Sequence, residues 1–475
     1  MLFRFLYFSS LLALGSANLP ACAQTAPAPP VAAVPPGGQR LPWLQGLLDS
    51  SAVLRQHQVG LSLADAATGE ILFGYNEGRY FTPASTMKLF SFYAGLKMLP
   101  DSLPSLRYFS RGDTLFFQGT GDPTFLHGDV PSRRAYAFLA TRPEKMLAYG
   151  DIASVPAYGP SWSWDDYTYY FQPERTAFPI YGNTVRFYAA APRPAARAGG
   201  AAAKSGLPLP QRIRVRPRAF APLTERAPAD FLSPDIDPDT HVRRDPLTNR
   251  FYTLPAPRKW VDEVPFRTSR TLLLRLLGDT LRRAIAGVPW QPRPGDEIRT
   301  LRGLPVDSLY RRALRVSDNF LAEQLLLMCS TALGSDSLST SRAIRFALRK
   351  HLSTLPDKPV WVDGSGLSRL NLVTPRSFTA LLLRLHQEVE EPRLLSVLAA
   401  GGGQGTLRQR YHDAAGPWFW GKTGTLTNTV NLGGYVRTKT GRLVAVAFFN
   451  NGYPSDDQPV RNEMERLLRQ VRDRL

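Results

Sequence analysis

The strongest constraint on this chain is the position of its β-type segments, which fall near both ends. Residues 59–76, VGLSLADAATGEILFGYN, predict a strand, an Ala-Thr-Gly turn and a second strand. Three more strand-like runs, WFWGKTG, TVNLGGYVR and LVAVAFFN, lie between 418 and 450. Apolar runs of this kind need cover, so the two ends are expected to meet in one antiparallel sheet with helices packed on it. Helical spacing of apolar residues appears at Leu41–Gln58 and at Ser85–Leu99, the latter entered through Pro83. It returns at Ser269–Ile285, Val306–Leu314, Asn319–Leu333, Ser341–Leu352 and Thr374–Val389, and from about Pro459 to Leu475. The middle, roughly 101–300, is instead rich in Pro, Tyr, Trp and Arg with short strand-like runs such as TLFFQGT. Within it, AAAPRPAARAGGAAAKSG (189–206) is of low complexity and predicts a surface loop.

A length of 475 residues suggests two or three domains. Arg4 followed by the apolar run Phe5–Leu14 predicts an export signal, because the run is too short to span a bilayer. Ala21-Cys22-Ala23 suits cleavage before Gln24, giving a signal over 1–23 and a Pro/Ala linker over 24–40. Leu19-Pro20-Ala21-Cys22 offers the alternative of a lipoprotein anchor on Cys22, which Pro20 weakens. Cleavage after Ala23 leaves Cys329 as the sole cysteine, with no disulfide, and its Leu-rich surroundings predict a core position. The charge of +19 reads either as solubility or as attraction to a polyanion. No nucleic-acid recognition motif accompanies it, so peripheral association with an anionic envelope surface fits better.

Three short motifs carry the candidate chemistry: Ser85-Thr86-Met87-Lys88, Ser317-Asp318-Asn319 and Lys422-Thr423-Gly424. Each alone occurs by chance, and SDN before a helix is also an ordinary capping sequence. Their placement gives them meaning. Ser85 opens a helix, so Lys88 lies one turn on, on the same face. A serine hydroxyl is a poor nucleophile until a base takes its proton, and lysine can be that base when burial or a second cation lowers its pKa. Lys422 is a candidate for the second cation. Lys439-Thr440-Gly441 repeats the third motif, but it falls where a hairpin between YVR and RLVAVAFF needs a turn. Lys422 to Thr425 end a strand-like run and can offer a cation and edge N–H groups instead. The six histidines include no HExxH pair, Ser85 sits in no G-x-S-x-G, and no phosphate-binding loop is present, so no metal and no cofactor are expected. The Met and aromatic residues around 88–98 read as core.

The ordered set S-x-x-K, S-x-N, K-T-G resembles the penicillin-binding proteins and serine β-lactamases. The long separation of Ser85 from Ser317 is similar to that in the class C low-molecular-mass penicillin-binding proteins, the D-Ala-D-Ala carboxypeptidase/endopeptidase group (peptidase S13 family). Gly119-Thr120-Gly121-Asp122-Pro123, Trp162-Ser163-Trp164-Asp165-Asp166, Asp363-Gly364-Ser365-Gly366-Leu367-Ser368-Arg369 and Gly405-Thr406-Leu407 resemble that group's patterns. The resemblance runs from about residue 42 to the C-terminus. It implies an α/β fold: a penicillin-binding/serine β-lactamase-like domain, 41–105 and 300–475, whose antiparallel sheet is flanked by helices and interrupted by a β-rich insert, 106–299. It implies a penicillin-sensitive, periplasmic D-alanyl-D-alanine carboxypeptidase or endopeptidase, with peptidoglycan peptides as substrates and β-lactams as covalent inhibitors. Ser85 would be acylated, with Lys88 as its base and the N–H groups of Ser85 and Thr425 as the oxyanion hole. Ser317, Asn319 and Lys422 would relay the proton, and Thr423, Gly424 and Thr425 would hold the terminal carboxylate with Lys422. Asp166, Arg369 and Phe171 would border the pocket for the stem-peptide side chain. A serine β-lactamase and a non-catalytic peptidoglycan-binding protein are the alternatives. The absence of Glu-x-x-Leu-Asn and Glu-x-x-x-Asn argues against the first, and three intact motifs argue against the second.

Overall fold

The structure, a computed structural model, describes residues 41–130, 132–151, 155–190, 212–228, 240–254, 258–334, 338–454 and 456–475. The export signal, Cys22, the linker and nearly all of the 189–206 loop lie outside them. Among the described residues no helix is long and apolar enough to cross a membrane.

The two ends of the chain meet as expected. Helix α1 (Pro42–Ser50) leads to the hairpin β1 (Gln58–Asp65) and β2 (Ile71–Tyr75). The helix is shorter than Leu41–Gln58, because the Ser51 hydroxyl accepts the Leu54 N–H and turns the chain toward β1. A second difference follows Pro83. Ala84–Met87 form a 3₁₀ turn, and helix α2 runs only from Lys88 to Met98.

The inserted segment leaves through β3 (Ser102–Arg111) and β4 (Thr114–Gly119). It continues through α3 (Arg134–Ala140), β5 (Met146–Asp151), β6 (Thr184–Ala189) and β7 (Ile213–Arg216). Short strands β8 (Thr224–Arg226), β9 (Val242–Arg244) and β10 (Phe251–Thr253) precede β11 (Trp260–Pro265). Helix α4 (Arg270–Leu281), β12 (Ile285–Pro289) and β13 (Arg299–Pro305) bring the chain back. These strands build a mixed sheet, β12-β5-β4-β3-β13, and two three-stranded sheets, β8-β10-β9 and β11-β6-β7. They share a hydrophobic cluster of their own, with Phe117, Phe187, Phe251 and Leu276 buried in it.

The remainder supplies helices α5 (Val306–Arg315), α6 (Asn319–Thr331), α7 (Thr340–Lys350), α8 (Pro375–Glu388) and α9 (Glu391–Val397). Strand β14 (Ala399–Ala400), a small hairpin of β15 (His412–Asp413) and β16 (Gly416–Pro417), and then β17 (Phe419–Leu426), β18 (Thr429–Arg437) and β19 (Leu443–Asn451) follow. Helix α10 (Gln458–Arg474) ends the chain. The main sheet is antiparallel in the order β14-β17-β18-β19-β1-β2, with Leu61 opposite Phe448. Side-chain alternation divides its two faces. Ala447 and Phe449 pack with Phe90, Leu321 and Phe378 from the inner helices, whereas Val446 and Phe448 pack with Leu44, Leu48 and Leu467 from α1 and α10. Cys329 is buried in α6, where burial pushes its thiol up, as expected of a core residue.

Candidate active site

Helix α2 buries nearly every residue of its first two turns, so it serves as a fixed base for the turn before it. In that 3₁₀ turn, residues three apart eclipse one another. Lys88 is thereby brought directly over Ser85, and its Nζ donates to Ser85 Oγ at 2.9 Å. The same Nζ donates to Asn319 Oδ1 at 2.6 Å and to the Ser365 carbonyl at 2.7 Å. Lys88 is 1% exposed. Burial pushes its ammonium down to about 8, against the opposing pull of Asp363, Asp318 and Glu323. Ser85 itself stays partly open and lines a cavity of about 870 Å³. Ala84 holds the left-handed region at φ +51°, and Gly366 packs so closely that a Cβ there would lie 1.8 Å from the Ala84 carbonyl oxygen.

The second motif is a helix entry, as its sequence suggests. Asp318 caps α6 by accepting the Leu321 N–H at 3.0 Å. The preceding Ser317 sits at φ +65° on the cavity wall. Asn319 spans the site: its Oδ1 faces Lys88, and its Nδ2 donates to the Phe171 carbonyl of the insert at 3.0 Å.

The third motif lies in β17. Thr423 and Thr425 line the cavity, whereas Lys422 is fully buried and donates to the Thr423 carbonyl at 2.6 Å. Burial first, and Lys88 second, push the Lys422 ammonium well below the usual lysine range. Burial is thus the leading cause that lowers both ammonium groups, Lys88 and Lys422. Gly424 does not line the cavity, and its contribution is clearance. A Cβ there would lie 2.5 Å from the Pro83 carbonyl oxygen and 3.0 Å from Thr86, so only glycine lets β17 approach the Ser85 turn. Lys439 is far more exposed, at 61%, and pairs with Asp473 at 3.2 Å in the β18–β19 turn, where Gly441 holds φ +88°.

Asp166, Phe171 and Arg369 line the same cavity. Arg369 donates to the Thr427 carbonyl at 3.2 Å and does not pair with Asp166. The half-buried Asp166 carboxylate accepts no hydrogen bond among the described residues, and burial, then Asp165, push it above the ordinary range. Sequence reasoning missed a network beneath these residues. Buried Glu323 accepts the Ser365 N–H at 2.7 Å and pairs with Arg175 of the insert at 3.2 Å. Asp363 accepts from Gly366 N, Ser368 N, Asn371 Nδ2 and Trp162 Nε1 at 2.7–2.9 Å. One signal for Glu323 was available: it is the only acidic residue within the otherwise apolar or uncharged run of α6, one turn after Asn319. Among the described residues no cluster suited to a metal is present.

A serine paired with a buried lysine, at the edge of an antiparallel sheet split by a β-rich insert, defines a serine acyltransferase with the penicillin-binding/β-lactamase type of fold. A model of the D-Ala-D-Ala carboxypeptidase 3 (S13) family matches residues 44–203 and 272–471, more than half of the chain. The chain belongs to that family. It is 24% identical over 438 residues to the D-alanyl-D-alanine carboxypeptidase DacB of Haemophilus influenzae, covering 84% of this chain and 86% of that one. It is 29% identical over 252 residues to carboxypeptidase DacB of Mycolicibacterium smegmatis, covering 50% and 54%. The crystal structure of penicillin binding protein 4 (dacB) from Haemophilus influenzae has the same fold, with a TM-score of 0.67 at 19% identity over 90% of this chain and 99% of that one.

Proposed function

We propose that this protein is a penicillin-sensitive D-alanyl-D-alanine carboxypeptidase or endopeptidase that acts on peptidoglycan stem peptides through an acyl-enzyme on Ser85. The observation that carries the reading is the 2.9 Å contact between Ser85 Oγ and the buried Lys88, whose pKa lies near 8. Once Lys88 is neutral, the same contact reverses and Nζ accepts the hydroxyl proton. Ser85 Oγ then attacks the carbonyl of the penultimate D-alanine. The oxyanion that forms is held by the backbone N–H groups of Ser85 and Thr425, and one such donor contributes about 3 kcal/mol. Ser317 and Lys422 pass the proton taken up by Lys88 to the departing amine, while Asn319, an amide that only hydrogen-bonds, orients Lys88 and helps hold the peptide. The terminal carboxylate rests on Thr423 and Thr425, and its charge favours the protonated form of Lys422. Water releases the acyl group, and no cofactor takes part.

The family supports peptidoglycan peptides as substrates and β-lactams as acylating inhibitors. Export to the periplasm, with peripheral attraction to an anionic envelope, follows from the leader and the charge of +19. Asp166 and Arg369 form the side-chain subsite. Asp166 accepts from an ammonium and Arg369 grips a carboxylate, as a zwitterionic diamino-acid end requires, while Phe171 packs along its stem. The segment 106–299 acts as the wall that carries this specificity. The test is intact mass after incubation with benzylpenicillin, followed by peptide mapping. One penicilloyl adduct on Ser85 is expected, absent from Ser85→Ala, whose peptide cleavage falls by on the order of 10⁶. An adduct on another residue rejects the assignment.

A further inference from the structure

The Ser85 cavity does not end at Thr423 and Thr425. Val316, Thr406, Thr423 and Thr425 also line a second cavity of about 630 Å³, walled by the 405–411 loop, β17, β18 and the start of α10. Asp166, Phe171 and Arg369 belong to the first cavity only. The two differ in charge. The first is lined by Asp129, Asp166, Glu263 and Asp318 against Arg312 and Arg369. The second carries three arginines against Asp457 alone. Two of those guanidinium groups are engaged. Arg410 is held by Glu465, Gln458 and Asn462. Arg461 is held by Asp457 and donates to Thr425 Oγ1 at 2.8 Å. Arg408 is exposed and makes no ion pair among the described residues. The geometry thus sets a free cation beyond the threonines that receive the substrate's terminal carboxylate.

We propose that the second cavity is a subsite for the leaving group and that it takes a leaving amino acid or peptide bearing a second carboxylate, with Arg408 as the contact. The inference rests on the proposed acyl-enzyme at Ser85, because that reaction fixes which half of the peptide departs across Thr423 and Thr425. A departing D-alanine occupies only a corner of this volume, which has room for roughly twenty waters. An anionic extension fills more of it and meets the unneutralised guanidinium. Because Arg408 is exposed, the gain is that of a solvated ion pair, modest and salt-sensitive.

The test uses one acyl-D-alanyl donor with three leaving groups: D-alanine, D-glutamine and D-glutamate. The last two differ only in the side-chain charge. With the intact protein at low salt, kcat/KM for the D-glutamate substrate should exceed that for the D-glutamine substrate by about fivefold, and the ratio should fall toward one in high salt. Arg408→Ala should bring the ratio close to one, Arg408→Lys should keep part of it, and Arg349→Ala, a remote surface charge on α7, should keep all of it. Benzylpenicillin acylation reports whether each variant is folded. Equal rates for the two substrates, while D-alanine release and acylation proceed, overturn the subsite and leave the Ser85 reading standing. A ratio that survives Arg408→Ala also overturns it. Absence of both cleavage and adduct in the unaltered protein overturns the Ser85 reading, and the subsite with it.

Discussion

Acylation should follow the protonation of Lys88, and Glu323→Gln tests this most sharply. Only neutral Lys88 can accept the Ser85 proton. With its pKa near 8, the neutral fraction is about 1% at pH 6 and about half at pH 8. The second-order rate of benzylpenicillin acylation should therefore rise roughly 50-fold between those values and level off above about pH 9. A lysine at its ordinary pKa of about 10.4 would instead give a limb still climbing tenfold per unit at pH 9. Burial lowers the Lys88 pKa, and the Glu323 charge is one of three that hold it up. Removing that charge lets the pKa fall further, so the limb in Glu323→Gln moves to lower pH and the pH 6 rate rises relative to its own plateau. The variant leaves Arg175, only 5% exposed, without its partner. That costs about 3–5 kcal/mol of stability if unrelieved. The double variant Arg175→Met/Glu323→Gln, which removes both members of the pair, is the companion that separates folding from titration. Stopped-flow acylation from pH 5.5 to 10, with melting curves for each variant, measures both. A flat profile between pH 6 and 9, or a limb displaced toward alkaline pH in both variants, refutes Lys88 as the base.

The remaining expectations concern the other site residues. Lys422→Ala should lower acylation by at least about 100-fold, whereas Lys439→Ala should change it by less than about twofold, because an exposed turn charge contributes little; labelling kinetics distinguish them. Gly424→Ala should slow acylation at least about tenfold, since its Cβ meets the Pro83 carbonyl oxygen at 2.5 Å and displaces β17 from Ser85; an unchanged rate would contradict the clearance argument. Peptides whose diamino-acid side chain ends in an ammonium and a carboxylate should be cleaved at least about tenfold better than N-acetyl-lysine analogues, as one charge-assisted contact allows. Asp166→Ala and Arg369→Ala should remove that preference and largely spare penicillin acylation, measured side by side.

Periodicity exposed the terminal strands well, and β18 spans Thr429–Arg437, the whole of the apolar run TVNLGGYVR. It failed where a short polar contact redirects the chain. The Ser51 hydroxyl ends α1 early, and the left-handed Ala84 starts a 3₁₀ turn in place of the first turn of α2. Neither departure disturbs the pairing of Ser85 with Lys88, because an i, i+3 pair also meets in a 3₁₀ turn. The different placement of the two KTG motifs was legible because a strand end and a hairpin turn differ in their neighbours: Lys422 is buried in β17, and Lys439 is exposed in the β18–β19 turn. The burial of both ammonium groups was not legible, since no linear pattern shows that Lys88 and Lys422 are each closed off from water. Asp363, Asp318 and Glu323 surround Lys88, while burial and Lys88 are the causes acting on Lys422.

The insert is joined to Lys88, the proposed base, through contacts that no linear pattern reveals. Trp162 donates to Asp363, which orders the 363–369 loop. Arg175 neutralises Glu323, which holds the Ser365 N–H. The Ser365 carbonyl then accepts from Lys88, and Asn319 joins Lys88 to the Phe171 carbonyl. Asp166 and Phe171 stand between Trp162 and Arg175 in the chain, so the residues proposed to read the substrate side chain share one segment with those that position Lys88. Taking the insert away would remove the only ion-pair partner that buried Glu323 has among the described residues, and one of the four hydrogen bonds that Asp363 accepts. Substitutions in 161–175 that shift the preference for the side chain should therefore move kcat as well as KM, because the segment cannot be displaced without loosening the hydrogen bonds that hold Lys88 against Ser85.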